Sequence, residues 1–201
     1  LMDECRAMGI AVLPPHVNYS GQGFQIEATD NGDAIRYGMG AIKNVGEGPI
    51  EAIVTTRDRT PFADVDDFCQ RIDLRNVGKR ALESLIKVGA LKGFGERGQL
   101  LAIIDRMTRL SGQIHRAAAD GQISMFDMGG FDAPSTGSVM YPLPEVAEIP
   151  RKELLGWEKE LIGTYISSHP VQPYMEDIRK AVTCLCGDLE ALRHDRQVRG
   201  A

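Results

Sequence analysis

The sequence has no long apolar run, few cysteines and no excess of positive charge, and each of these features excludes a class of protein. No stretch approaches the ~18 apolar residues of a transmembrane helix, and no basic-then-apolar leader opens the chain. The four cysteines form neither a zinc motif nor a disulfide framework, so they predict reduced thiols in a cytoplasmic protein. The formal net charge of −5 argues against a surface that binds nucleic acid nonspecifically, so any such contact must be made by particular loops.

The apolar and charged residues that are present suit a folded protein of one or two small domains. The chain has 201 residues, of which 43% are hydrophobic and 25% are charged. An apolar face with helical spacing starts at Leu1 without an N-cap residue, and residues 198–201 lack a terminator. We therefore expect the chain to be an internal fragment of a longer protein.

Hydrophobic periodicity predicts a mainly α-helical chain with a small α+β piece at residues 1–38. In that piece, apolar and polar residues alternate on both sides of Asn31-Gly32, which is typical of a β-hairpin. Over residues 39–116 the pattern predicts a five-helix unit, made of a pair, a connecting helix capped by Asp64, and a second pair whose first helix is capped by Asn76.

The most informative stretch is a glycine-rich turn between the first two of these helices. It reads Lys43-Asn44-Val45-Gly46-Glu47-Gly48, and Pro49 stands at the predicted first position of the next helix. Gly and Asn tolerate the positive φ of a sharp turn, and the N–H groups at a helix N-terminus bind phosphate. The stretch therefore resembles a helix-hairpin-helix element that holds nucleic acid by its backbone. The alternative is an ordinary corner between two helices.

A second glycine-rich turn separates the last two predicted helices. It contains Gly89 and Gly95, and it is flanked by the cationic residues Lys92 and Arg97. Two hairpins around a connecting helix could hold two phosphates at once. The predicted backbone-binding residues are therefore Lys43, Asn44, Val45, Gly46, Gly48, Gly89, Lys92, Gly95 and Arg97.

Residues 117–149 are rich in Gly, Pro, Ser and Asp, which predicts a long exposed loop before helices return over residues 150–182. Within it lies the peptide Gln122-Ile123-Ser124-Met125-Phe126. Adjacent Met and Phe side chains gain nothing in a solvated segment unless another surface covers them. One interpretation is a recognition peptide whose apolar residues fill a pocket on a partner. The other is that these residues pack back onto helices of the same chain.

The order of these motifs is similar to that in the bacterial DNA polymerase III alpha subunits, the family C replicative polymerases. The similarity covers nearly the whole chain, and the set of motifs is specific although each one alone is weak. The matching segments are residues 4–10, 12–15, 35–38, 41–48, 61–62, 68–69, 73–75, 85–90, 157–165 and 168–170.

The resemblance implies a role for each part of the chain. Residues 1–38 would close the fingers region, residues 39–116 would form a tandem helix-hairpin-helix unit that grips duplex DNA, and residues 183–201 would lead into an OB-fold. The peptide at residues 122–126 would bind the sliding clamp. The family's catalytic carboxylates and their Mg²⁺ ions belong to a palm domain outside this chain, so we expect no catalytic or metal-binding residue and no cofactor here. The acidic cluster at residues 64–67 is interpreted as helix-capping residues.

Two other classes of function stay open at this point. A helix-hairpin-helix repair enzyme, such as a base-excision glycosylase, would need a catalytic side chain just beyond a hairpin. Glu51, Arg57 and Asp105 stand in such positions, without an evident partner in the sequence. A pure interaction scaffold would use the hairpins only for packing, and it would bind the clamp but no DNA.

Overall fold

The computed structural model of the chain describes residues 4–5, 8–119 and 142–182. These residues form a small three-stranded sheet followed by helices, which confirms the mainly α-helical fold with an α+β piece at its N-terminal side. The chain divides into one unit of residues 1–166 and a second unit of residues 167–201.

The sheet contains β1 (Ala11–Leu13), β2 (Gln25–Thr29) and β3 (Gly32–Arg36) in the order β1-β3-β2. β2 and β3 form the predicted antiparallel hairpin, and β1 pairs with β3 in parallel. Gly32 has a φ of +103° in the turn of this hairpin, a conformation that glycine adopts without steric cost. The sequence signal at Asn31-Gly32 is therefore confirmed.

Residues 39–119 form the helical unit that contains both hairpins. It begins with a 3-10 turn at Met39–Ala41, and the helices that follow are α1 (Glu47–Arg57), α2 (Val65–Arg71), α3 (Leu74–Val77), α4 (Lys79–Lys87), α5 (Arg97–Ala102) and α6 (Ile104–Ala119). The predicted five-part arrangement is present with three differences. The first predicted helix is only a 3-10 turn, the fourth is divided at Gly78, and the fifth is divided at Ile103.

The helix starts show where capping was predicted correctly and where it was not. Asp64 caps α2 as expected, because its side chain accepts a hydrogen bond from the N–H of Asp67 at 2.8 Å. The predicted N-cap at Asn76 is wrong, since α3 begins at Leu74, before Asn76, and is capped by Asp73. Gly78 then joins α3 to α4 with a φ of +79°, which few residues other than glycine adopt.

A single apolar cluster joins the two hairpins to the helices between them. Phe68 on α2 is fully buried, and its ring centroid lies 5.1 Å from that of Phe62 and 6.1 Å from that of Phe94. Ile53 of α1 and Met107 of α6 are fully buried in the same cluster. The two hairpins therefore share one core and depend on each other for their stability.

The chain returns to this core at residues 142–166. Leu143 and Trp157 are partly buried against the cluster. Helix α7 (Arg151–Ile162) ends at Gly163, whose φ of +84° makes a left-handed C-cap. In the second unit, the described residues form a 3-10 turn at Gln172–Tyr174 and helix α8 (Met175–Ala181).

A histidine attaches the sheet-bearing piece to the second hairpin. The Nε2 atom of His16 donates to the carbonyl of Lys92 at 2.9 Å, and its Nδ1 atom accepts from the N–H of Asn18 at 3.0 Å. Because Nδ1 must be unprotonated to accept that bond, the contacts select the neutral imidazole with its proton on Nε2. The N–H of Val17 also donates to the carbonyl of Ala90 at 2.9 Å.

We expect His16 to make the stability of the fold depend on pH. Burial lowers the pKa of His16 below 6.5, and the nearby Arg36 and Arg57 lower it further, against the opposing effects of the Lys92 carbonyl and Glu27. The unfolded chain then binds a proton at His16 more readily than the folded chain does. The contribution of His16 to the free energy of unfolding is therefore complete above pH 6.5 and is lost as pH falls through the lower folded pKa. The slope cannot exceed the ~1.4 kcal/mol per pH unit of one proton.

Urea unfolding between pH 7 and pH 5 measures this slope, with His16→Gln as the control that does not titrate. The free energy of unfolding should fall more steeply with acidification in the wild-type chain than in the variant. Equal slopes in the two proteins would show that His16 does not contribute.

Candidate nucleic-acid interface

The turn of the first hairpin is built around an asparagine in the left-handed conformation. Asn44 has a φ of +69°, as its residue type suggests, and its Nδ2 atom donates to the Oγ atom of Ser84 on α4 at 3.1 Å. Val45 is buried in the core, and the backbone N–H of Lys43 donates to the carbonyl of Leu161 on α7 at 2.8 Å. These contacts hold the backbone of the turn in place from three sides.

Helix α1 begins at this turn without a side-chain cap. Gly46 is the N-cap residue, and no side chain accepts a hydrogen bond there. The predicted start at Pro49 is two residues late, because proline is tolerated throughout the first helical turn, where N–H groups lack helical partners anyway. Across the part of the chain that the structure describes, no acceptor is found for the N–H groups of Gly46, Glu47 and Gly48.

The two glycines at this helix start are required neither by backbone conformation nor by packing. Gly46 has an ordinary φ of −85°, and Gly48 is not among the residues with positive φ. A Cβ atom built on either glycine meets no atom within 4 Å. Both residues are exposed. Glycine is a favoured residue at an N-cap position such as that of Gly46, whereas inside a helix it is destabilising by up to about 1 kcal/mol relative to alanine. Both glycines leave free space beside N–H groups that have no acceptor among the described residues.

The helix dipole and Lys43 favour an anion in that space, whereas the carboxylate of Glu47 opposes it. The macrodipole of a helix places partial positive charge at its N-terminus, and the exposed Lys43 lies in the turn. Glu47 is the one acidic residue in the first turn of α1, and its carboxylate accepts a hydrogen bond from the Nε2 atom of Gln22 at 3.1 Å. This arrangement suits a phosphate group bound by backbone N–H groups.

The second hairpin differs from the first because its helix start is already closed. Glu96 and Gln99 form a capping box at the start of α5, in which the N–H of Glu96 donates to the side-chain oxygen of Gln99 at 3.1 Å. A carboxylate therefore stands where a phosphate would bind. α5 also has only six residues.

A later part of the chain covers this second helix start. A Cβ atom on Gly95 would lie 2.5 Å from Leu143, and one on Gly98 would lie 3.1 Å from Val146. The side-chain nitrogen of Gln99 donates to the carbonyl of Pro144 at 3.2 Å. The absence of side chains at Gly95 and Gly98 thus makes room for residues 142–149 rather than for a ligand.

Arg97 is bound within the protein. Its guanidinium donates to the carbonyl of Lys87 at 3.0 Å and lies 3.7 Å from the carboxylate of Glu158, which is buried. A Cβ atom on Gly89 would lie 2.8 Å from this guanidinium, so Gly89 makes room for Arg97. Lys92 is exposed.

The structure therefore places Lys43, Gly46 and Gly48 of the first turn at one open site. Val45 is buried and its N–H donates to the carbonyl of Ile42 at 3.1 Å, so it is not available there. The predicted residues of the second turn mainly pack against other parts of the chain.

Comparisons with known proteins agree with this geometry. A family model described as a helix-hairpin-helix motif matches residues 9–100, which include both turns. The DNA polymerase III subunit alpha of Vibrio cholerae is 42% identical over 200 residues, or 98% of this chain. The corresponding subunits of Chlamydia pneumoniae and Thermus aquaticus are 38% and 37% identical over 99% and 92% of it. The chain matches an internal segment of the DNA polymerase III alpha subunits. It spans 17%, 16% and 14% of the length of these three relatives.

Two of the three residues considered for catalysis, Arg57 and Asp105, have structural partners. The guanidinium of Arg57 donates to the carbonyls of Val17 and Ser20 at 2.8 and 2.7 Å, and Asp105 forms an ion pair with Lys79. Over residues 4–5, 8–119 and 142–182, no group of three or more His, Cys, Asp or Glu side chains is placed to hold a metal ion.

Two further predictions concern parts of the segment that lie outside the described residues. These are the clamp-binding peptide at residues 122–126 and the approach to an OB-fold at residues 183–201. Among the helices that the structure describes, none has both the length and the apolar character needed to span a membrane.

Proposed function

We propose that this chain is the part of a bacterial replicative DNA polymerase that holds duplex DNA by its phosphate backbone and docks on the sliding clamp. The parent protein would be a DNA-directed DNA polymerase of the cytoplasm, with its catalytic residues and Mg²⁺ ions in a palm domain outside these residues. The chain itself would be inactive in nucleotidyl transfer. The similarity to the alpha subunits over nearly its whole length supports the parent assignment.

The observation that carries the DNA-binding proposal is the open start of α1. Among the described residues, the N–H groups of Gly46, Glu47 and Gly48 have no acceptor, and a Cβ atom on Gly46 or Gly48 would meet no atom within 4 Å. A phosphate oxygen would accept hydrogen bonds from these groups, and Lys43 would neutralise part of its charge. Since such contacts touch no base edge, they hold duplexes of any sequence alike.

The second hairpin would support this contact rather than repeat it. Its helix start is capped by Glu96 and covered by residues 142–149. The first helix of the second hairpin, α4, contacts the first turn, because the side chain of Asn44 donates a hydrogen bond to Ser84. Lys92 would add a peripheral charge at most. We therefore propose one phosphate site at the first hairpin, where the sequence alone suggests two.

Clamp docking is proposed on the sequence of residues 122–126. Gln122 would make oriented hydrogen bonds, and Met125 and Phe126 would fill an apolar pocket on the clamp, while Ile123 and Ser124 would link them. The other partners proposed are duplex DNA and the rest of the polymerase chain.

The substitution Gly46→Asp tests the phosphate site while leaving the fold intact. An aspartate at the N-cap satisfies the helix start at least as well as glycine does, and a Cβ atom there meets no neighbour. Its carboxylate would occupy the N–H groups and repel phosphate. We expect an unchanged or slightly higher Tm and a loss of duplex affinity of about tenfold to hundredfold, equivalent to one charge-assisted hydrogen bond of about 1.5–3 kcal/mol.

Fluorescence anisotropy with two duplexes of unrelated sequence measures this loss, and two variants serve as controls. Gly46→Asn has nearly the same shape without the charge, so it should lose less affinity. Glu96→Gln alters the closed helix start and should leave affinity within about twofold. Undiminished binding by a folded Gly46→Asp protein would contradict the phosphate site. No duplex binding by the wild-type chain at low salt would contradict the DNA-binding role of this chain altogether.

A further inference from the structure

The sheet carries an apolar face that the described residues leave partly uncovered, since Val12, Ile35 and Tyr37 are half-buried and Phe24 and Ile26 are exposed. Val12, Ile35 and Ile26 are directly opposite one another on the three strands, so their side chains lie on the same face. Ile26 is 80% exposed. Phe24 is 53% exposed, and its ring stacks edge-on against that of Tyr37 at 4.5 Å, next to this row. We call these five residues the outer sheet face.

The opposite face of the sheet is occupied by the protein itself. Ala34 is buried, and so is Arg36, whose guanidinium pairs with Glu27 at 2.6 Å and donates to the carbonyl of Pro14 at 2.8 Å. A three-stranded sheet needs one packed face for stability, and this face provides it. The apolar residues on the outer sheet face are therefore not explained by the stability of this chain.

Four of the seven exposed large apolar side chains among the described residues lie in the sheet-bearing piece, and the other three are Val146, Val171 and Tyr174. In addition to Phe24 and Ile26, Met8 and Tyr19 are exposed in the same piece. Within residues 39–119, all of which the structure describes, no large hydrophobic side chain is exposed. Clustered exposed apolar residues mark a contact surface, whereas scattered ones do not.

We propose that the outer sheet face is the docking surface for the rest of the polymerase polypeptide, an inference that rests on the proposed parent protein. The matched segment is only 17% of the Vibrio cholerae subunit, so most of such a polypeptide lies outside these residues. β2 is also an edge strand, with no strand on its outer side among the residues described here. An edge of this kind is normally paired or covered in a native protein.

The size of the face favours a contact within one polypeptide over a contact between separate molecules. It consists of five side chains across three strands, a width of about 10 Å. Specific complexes between separate proteins use about 20–30 residues on each side. A small apolar face is sufficient when the covering segment belongs to the same chain, because covalent linkage supplies a high effective concentration.

Thiol labelling of Ile26→Cys tests this proposal in two proteins, the 201-residue chain and the full-length alpha subunit that carries these residues. Cys184→Ser and Cys186→Ser are introduced in both, whereas Cys5 and Cys69 are buried and stay. Burial raises the pKa of the Cys69 thiol to about 12, so it does not compete for maleimide. Gln70→Cys, at an exposed position on α2, is the matched control.

We expect Ile26→Cys to react with maleimide at least tenfold more slowly in the full-length subunit than in the 201-residue chain, with equal rates for Gln70→Cys. Equal rates for Ile26→Cys in the two proteins overturn the proposal. So does protection that appears in the 201-residue chain as its concentration rises, because the occupant is then a second copy. Labelling is done without DNA or clamp, so this result is independent of the Gly46→Asp result.

Discussion

Replacing Gln122 and Phe126 together by alanine should abolish binding of this chain to the bacterial sliding clamp. Short recognition peptides depend on a few anchors, and loss of one anchor residue commonly costs 2 kcal/mol or more. Two such losses reduce affinity by roughly a thousandfold, which takes an ordinary peptide contact out of the measurable range. Isothermal titration of the purified clamp with the chain, with and without the two substitutions, measures the effect.

The neighbouring residues provide a matched control for the clamp experiment. Asp127→Ala and Met128→Ala together remove one polar and one apolar side chain directly after the peptide. They should leave affinity within a few fold. Binding that survives the loss of Gln122 and Phe126 would place the clamp contact elsewhere in the chain. Equal losses in both double variants would also contradict a contact limited to residues 122–126.

Phe68→Ala should unfold a large fraction of the chain and remove DNA binding with it. The ring of Phe68 is fully buried between those of Phe62 and Phe94, and truncation of a buried phenylalanine destabilises proteins by about 3–5 kcal/mol. Because domains of this kind are stable by only about 5–15 kcal/mol, the loss is a large share of the total. Urea unfolding followed by circular dichroism measures it.

The variant Phe68→Leu separates volume from aromatic contact at the same position. It keeps most of the apolar volume, so we expect a loss of well under half that of Phe68→Ala. Phe68 lies on α2, outside both hairpins, yet duplex binding should fall in proportion to the unfolded fraction in each variant. A stable Phe68→Ala protein would show that the hairpins do not depend on a shared core.

The local features of the fold could be predicted from the sequence because each has a local physical cause. Asn44 adopts the left-handed conformation that its residue type tolerates, and Asn31-Gly32 turns the hairpin. Asp64 caps α2 through a bond to a residue three positions along the chain. In each case, the residues that decide the structure are next to one another in the sequence.

The difference between the two hairpins could not be predicted in the same way. Arg97 and Glu158 are 61 positions apart, and Gly95 meets Leu143 across the intervening stretch. Glycine is compatible with a phosphate site and equally with close packing, so a glycine-rich turn alone does not distinguish them. The capping box between Glu96 and Gln99 is the one local signal that could have shown that the second helix start is closed.

Helix α6 ends at Ala119, and this end limits where a bound clamp can lie. Gln122 follows three residues later and Phe126 seven residues later, so their Cα atoms can be no more than about 11 and 25 Å from that of Ala119 along any path. α6 contributes Met107 to the core that also holds the first hairpin. A clamp bound to this peptide, as proposed, would therefore be held on a short tether, and covalent bonds would limit its distance from the proposed phosphate contact.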